Sequence, residues 1–176
     1  SKLIVEKTQV KVSEVGYFVI GIDRDLRFYV IIKKKFVFNK NKKFFKIGYF
    51  GSLFKSRGVE LIKDLAKIDQ KNQYYLYGDL NKMKNLNYKN SNKNMFLNQY
   101  IPYKDIPNEL KKMDILLMPY SSSITVAGDI GDITKFTSPL KLFDYLSVGK
   151  IIICSDFKVL KEVYENFNYQ NTTKLY

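Results

Sequence analysis

From residue 47 onward, short apolar runs of strand length alternate with amphipathic stretches of helical period, and this alternation constrains the fold more than any other feature. Strands separated by helical segments are joined by crossovers rather than hairpins, which predicts an α/β fold. The expected architecture is Rossmann-like, a mostly parallel sheet with helices on both faces. Ile47 to Phe50 reads as a strand ended by Gly51. Val59 to Ile68 follows with Val59, Ile62, Leu65, Ala66 and Ile68 near helical spacing, a helix with one buried face. Tyr74 to Tyr77 and Met95 to Gln99 read as the next two strands, and Lys104 to Lys112 as a short helix after Pro102. Ile115 to Met118 is a strand closed by Pro119, Leu140 to Val148 a helix with Gly149 at its C-cap, Ile151 to Cys154 a fifth strand and Val159 to Phe167 a closing helix.

Two connections interrupt the alternation. Residues 81–94 are polar, Asn-rich and free of acids, which predicts a solvated link. Residues 121–137 form a long Ser/Thr/Gly/Asp-rich loop, of a length that inside a compact domain marks function or disorder. Residues 47–176 are read as one domain. Residues 1–46 fit it poorly: Val10, Val12, Tyr17, Val19 and Phe28 to Ile32 are strand-like, whereas Lys33 to Lys35 and 39–43 look exposed. They are either an extra strand pair or the remnant of a preceding domain.

Composition removes several chemistries. The 176 residues include one cysteine, Cys154, and no histidine. An intramolecular disulfide, a His-containing zinc site and a Ser-His-Asp or Cys-His nucleophile are therefore excluded within this chain. No metal ligand set and no cofactor is expected. The net charge is +13, with +8 on residues 1–46 and +5 on 80–112. Such a charge attracts phosphates, but arginine occurs only at Arg24, Arg27 and Arg57, and an excess of Lys, Asn, Ile, Phe and Tyr is what an A/T-rich coding sequence produces. A nucleic-acid partner is not expected, and an anionic membrane surface is the more natural sink for the charge. Apolar runs such as Phe28 to Ile32 fall far short of the ~20 residues that span a bilayer. The expected location is cytoplasmic, with peripheral contact at the inner membrane face.

Two segments have the make-up of anion sites. In SPLKLFDYLSVGK, residues 138–150, Ser138 suits an N-cap and Pro139 the first helical position. The unpaired amides at Leu140, Lys141 and Leu142 and the positive end of the helix dipole then face an anion. Lys141 and Asp144, three apart on one flank, place a cation beside that pocket and a carboxylate one turn deeper. A nucleoside diphosphate fits this pairing, with phosphate on Lys141 and ribose hydroxyls on Asp144. An ordinary capped helix with a surface Lys141–Asp144 ion pair fits it equally well. In GSLFKSRG, residues 51–58, Gly51 permits close backbone approach and Lys55 and Arg57 supply charge at a helix start. Neither a P-loop nor a dinucleotide fingerprint is present, and a turn with solvated charges remains open.

Taken together, GYFGSLFKSRGVELI, LYGD, Met95 to Pro102, Ile106 to Tyr120 and SPLKLFDYLSVGKIIICSD resemble, in that order, the C-terminal half of a GT-B glycosyltransferase of the large retaining group 1 family. The resemblance covers about residues 47–165. It implies a domain that binds a nucleotide-diphosphate sugar at the carboxyl ends of its strands. Gly51 and Ser52 would line the phosphate loop, with Arg57 where the family commonly has a diphosphate-binding Lys. Ser52 stands where members often carry Arg, so Lys55 would have to substitute. Tyr100 and Ile101 match the stretch whose backbone meets the base, Leu140 and Lys141 the backbone donors to the diphosphate. Asp144 sits where the family has a ribose-binding Glu, one methylene longer. Phe136 occupies the position of an acidic residue, and Asp129 or Asp132 is the candidate replacement.

The resemblance further implies half an enzyme, whose N-terminal acceptor domain lies outside this polypeptide. Arg57 and Lys141 would be the catalytic groups, stabilising charge on the departing diphosphate, and the nucleotide sugar is substrate rather than cofactor. Cell-surface glycan synthesis is the expected setting. The alternatives are a sugar-nucleotide epimerase of the same fold and a non-catalytic basic module docking on anionic membrane or nucleic acid.

Overall fold

A computed structural model describes the backbone of residues 17–23 and 26–31, and residues 41–53, 57–81, 92–120, 140–155, 160, 162 and 163 in full. Within these, β3 (Lys46–Phe50), β4 (Gln73–Gly78), β5 (Met95–Gln99), β6 (Ile115–Met118) and β7 (Ile151–Ser155) form a parallel sheet, interleaved with α1 (Val59–Ile68), α2 (Ile106–Lys112) and α3 (Leu140–Ser147). A hairpin of β1 (Tyr17–Asp23) and β2 (Leu26–Ile31) continues the sheet, β2 pairing antiparallel with β7. The order is β1-β2-β7-β6-β3-β4-β5. The chain runs outward from β3 through β4 to β5, then returns to start β6 on the other side of β3. That reversal between β3 and β6 is the topological switch point, where open α/β sheets hold their ligands.

Alternate residues of each strand serve opposite faces, as the two-residue period requires. Ile47, Tyr49, Tyr74, Leu76 and Leu117 pack with Val59, Ile62 and Ala66 of α1. Phe50, Leu116, Met118, Ile152 and Cys154 pack with Leu110 of α2, Leu142 and Tyr145 of α3, and Leu160. Helices therefore cover both faces, and Cys154 is a buried core residue. Two glycines set the loops. Gly58, at φ 76, caps α1 in the left-handed region, and a Cβ there would collide with the carbonyl of Pro119. The loop after β3 is thus pressed onto the end of β6. Gly149, at φ 64, ends α3, its amide bonding the Leu146 carbonyl.

The helix expected over 104–112 is a 3₁₀ turn, Tyr103–Asp105, running into α2. The solvated link over 81–94 holds only in part. Residues 82–91 lie outside the described residues, but Asn92 and Asn94 at its end are half-buried. Asn94 Nδ2 donates to the carbonyls of Ala66, Asp69 and Asn72, and Asn92 Nδ2 to that of Lys63. Asn94 therefore closes the exit of α1, and Asn92 holds its middle turn. The loop over 121–137, with Asp129, Asp132 and Phe136, and Lys33 to Lys35 lie outside the described residues. So does most of the closing helix, though Leu160, Glu162 and Val163 are helical.

Candidate functional site

At their amino ends β3 and β6 are pinned together. The Asp114 carboxylate accepts from Lys42 Nζ at 2.5 and 2.6 Å and from the Lys46 amide at 2.8 Å, while the Asp114 amide bonds the Lys46 carbonyl. At their carboxyl ends the strands part, and Gly51, Arg57, Tyr120 and Lys141 gather there. Lys141 Nζ lies 4.4 Å from the Tyr49 ring centroid and 5.6 Å from that of Tyr120. Its amino group also abuts Gly51: a Cβ at Gly51 would contact Nζ and lie 2.9 Å from Cε. Gly51 has φ 149, so both its backbone and its side-chain space require glycine. Chain segments ninety residues apart thus meet at one point, a close approach that only the missing Cβ allows.

The electrostatics suit an anion. Among the described residues no acid is ion-paired with Lys141, and the surface pair with Asp144 that their spacing allowed is absent. Burial, and secondarily the charge of Arg57, push the Lys141 ammonium from 10.5 down to about 7. Arg57 Cζ lies 5.4 Å from the Tyr120 ring, and Arg57 bonds the Tyr120 hydroxyl. Its buried Nε has no hydrogen-bond partner. Arg57 is therefore not a solvated loop charge. Burial holds the Tyr49 hydroxyl far above the usual phenol range; it donates to the Ser52 carbonyl at 2.7 Å and so shapes the loop after β3. Burial also raises Tyr120, against the pull of Arg57.

A cleft leads away from the cations, lined by Gly51, Tyr100, Ile101, Ile106, Lys141 and Asp144. Its floor is Phe50, stacked on Tyr77 with centroids 4.5 Å apart. Burial, with the Glu109 carboxylate that its hydroxyl bonds, pushes Tyr77 up to about 12. At the rim the Tyr103 hydroxyl donates to Asp144 Oδ1 at 3.1 Å, a bond that raises the phenol above its ordinary value. Tyr145, buried behind Lys141 on α3, accepts from the Phe50 amide at 3.0 Å and donates to the Leu117 carbonyl at 3.4 Å.

Of the site residues expected from sequence, Gly51, Tyr100, Ile101, Lys141 and Asp144 line this one cleft, and Arg57 joins it through Tyr120. Ser52 and Leu140 are exposed and their side chains do not line it. Lys55 and Ser138 lie outside the described residues. Sequence reasoning missed Tyr49, Tyr120 and Tyr145. Tyr145 carried a usable signal, standing four residues after Lys141 and hence on the same helical flank. Tyr49 and Tyr120 look like ordinary strand-end hydrophobes.

Among the described residues no group of three or more His, Cys, Asp or Glu is arranged to hold a metal, and no helix is long and apolar enough to cross a membrane. The family model described as glycosyl transferases group 1 matches residues 30–173. No curated protein matches the chain.

Proposed function

The chain belongs to the group 1 glycosyl transferases as a C-terminal GT-B domain, and from that premise we propose that it binds the nucleotide-diphosphate sugar for a transferase acting with retention. The carrying observation is the meeting of Gly51 and Lys141 at the switch point, beside an Arg57 whose buried Nε lacks a partner. A diphosphate there would supply the anionic partner that Lys141 lacks and an acceptor for Arg57 beyond the Tyr120 hydroxyl. The ribose then reaches Asp144, and the base lies along Tyr100 and Ile101. Leu140 would contribute its backbone amide, and Ser52, Lys55 and Ser138 would complete the phosphate end.

As the glycosidic bond breaks, negative charge grows on the leaving diphosphate. Lys141 and Arg57, fixed in advance on aromatic supports, stabilise that charge without reorganising; losing one such group costs ~10² to 10³ in rate. In this reading the acceptor is bound by a second domain, and the setting is cell-surface glycan synthesis at the cytoplasmic membrane face. The +13 charge supports contact with anionic lipid.

A thermal-shift panel of UDP, GDP and ADP tests the reading. A ligand at about 100 times its Kd adds about 2.7 kcal/mol to the folded state, a rise of roughly 5 to 10 °C for a chain of this size. The cognate base is the one that gives the shift, and Lys141→Ala or Arg57→Ala abolishes it. No shift from any of the three, alongside salt-sensitive binding to anionic vesicles, supports a docking module instead.

A further inference from the structure

The ladder between β3 and β6 is cut short. Its pairs are Ile47 with Ile115 and Gly48 with Leu116, whereas β3 stays with β4 as far as Phe50 and Tyr77, and β6 with β7 as far as Met118 and Cys154. Both strands keep their outer neighbours while leaving each other. Buried backbone groups at such a fork need replacement partners. One side chain supplies two of them: the hydroxyl of Tyr145, 1% exposed, takes the Phe50 amide and the Leu117 carbonyl, one from each strand.

This bridge bears on the site because of what adjoins each end. Phe50 is the neighbour of Gly51, and Tyr145 lies one helical turn beyond Lys141 on the same flank of α3. The hydroxyl therefore ties the helix bearing the ammonium to the strand end bearing the glycine. Packing alone does not call for the oxygen, since the edge-to-face contact of the Tyr145 ring with Phe50, 6.4 Å between centroids at 81°, is open to phenylalanine. With Asp114 pinning the amino ends of the same two strands, the fork has one closed end and one end held at a set width.

We infer that Tyr145 is a positioning residue, whose hydroxyl fixes the carboxyl-end gap between β3 and β6 and thereby the placement of Lys141 against Gly51. Recognition of a diphosphate depends on it although it acts through Lys141. The inference rests on the diphosphate reading above.

Titration of inorganic pyrophosphate and UDP into wild type, Tyr145→Phe, Lys141→Gln and the double variant tests it. Tyr145→Phe weakens both ligands about tenfold, within what a misplacement of ~1 Å imposes on a tuned site. In the Lys141→Gln background the same change moves affinity less than about twofold, because the two residues act as one unit. No loss in the wild-type background, or an equal loss in both, overturns the inference while leaving the diphosphate reading intact. If wild type binds neither ligand, that reading fails and the positioning role falls with it. Should Tyr145→Phe not fold, amide exchange in the wild-type chain decides: the Phe50 amide should be protected like that of Leu116, and fast exchange at Phe50 overturns the bridge.

Discussion

An ammonium set against two tyrosine rings and in the field of a guanidinium has lost water without gaining a carboxylate, and this is why Lys141 titrates near 7. Above that pH the free group sheds its proton, and on the proposed reading an arriving diphosphate draws one back. Binding then takes up a proton, and affinity falls as pH rises, by up to about tenfold per unit. Calorimetry at about pH 6 and about pH 9, in buffers of differing ionisation heat, reads both quantities. An affinity independent of pH with no proton uptake contradicts the role given to Lys141. In the unliganded fold the linkage has the opposite sense. Between about 7 and 10.5 the unfolded chain holds a proton that the folded chain has released, so the cost of burying this group fades and stability rises as pH climbs through that window. The raised phenols of Tyr49, Tyr74 and Tyr120 act the other way, their contribution present below the ordinary value of 10.0 and lost above it. Gly51 is the second residue-scale test. Alanine there meets both a disfavoured φ and the Lys141 side chain, so Gly51→Ala should cost about 1 to 3 kcal/mol in a urea titration and weaken pyrophosphate binding. Unchanged affinity would argue that Lys141 need not lie against this loop.

The elements from β3 to β7 were legible because their periods differ: two for the strands, near 3.6 for α1 and α3. The bounds of α1 and β5 fell where the sequence put them, since Gly58 and Asp69 flank one and turn residues the other. The 3₁₀ turn before α2 was not legible, because Tyr103 to Asp105 have no pattern that separates it from a helical first turn. The role of Asn94 was hidden for a related reason. An asparagine in a polar tract looks solvated, and only tertiary folding brings the exit of α1 to it. Asn94→Ala leaves the carbonyls of Ala66, Asp69 and Asn72 without that donor. It should lower stability by about 1 to 3 kcal/mol in a urea titration and leave nucleotide affinity unchanged. A loss of affinity would show that the end of the sheet beside α1 is coupled to the cleft.

At the scale of the whole molecule, the site exists because the strand order reverses between β3 and β6. The sequence marked the two anion segments separately, through glycine, cations and a helix start. That they share one cleft was legible only through family resemblance, since no local pattern encodes a separation of ninety residues. The supports escaped notice because Tyr49, Tyr120 and Tyr145 pack like core residues: Tyr49 and Tyr120 reveal their roles only through ring faces turned to the cations, and Tyr145 only through its hydroxyl between β3 and β6. On the proposed division of labour, in which a second domain holds the acceptor, the residues described here should bind donor yet turn it over poorly by themselves, and adding an acceptor-binding domain should restore transfer; efficient transfer by these residues alone would contradict that proposal. The most direct measurement of the central claim is an amide NMR titration with inorganic pyrophosphate. Saturable shifts that cluster at Gly51, Arg57 and Leu140 to Leu142, and vanish in Lys141→Ala, are the expected result. Shifts confined to residues 1–46 or 80–112, or none that saturate, would mean that the anion is held by diffuse surface charge and that the fork between β3 and β6 is not the binding site.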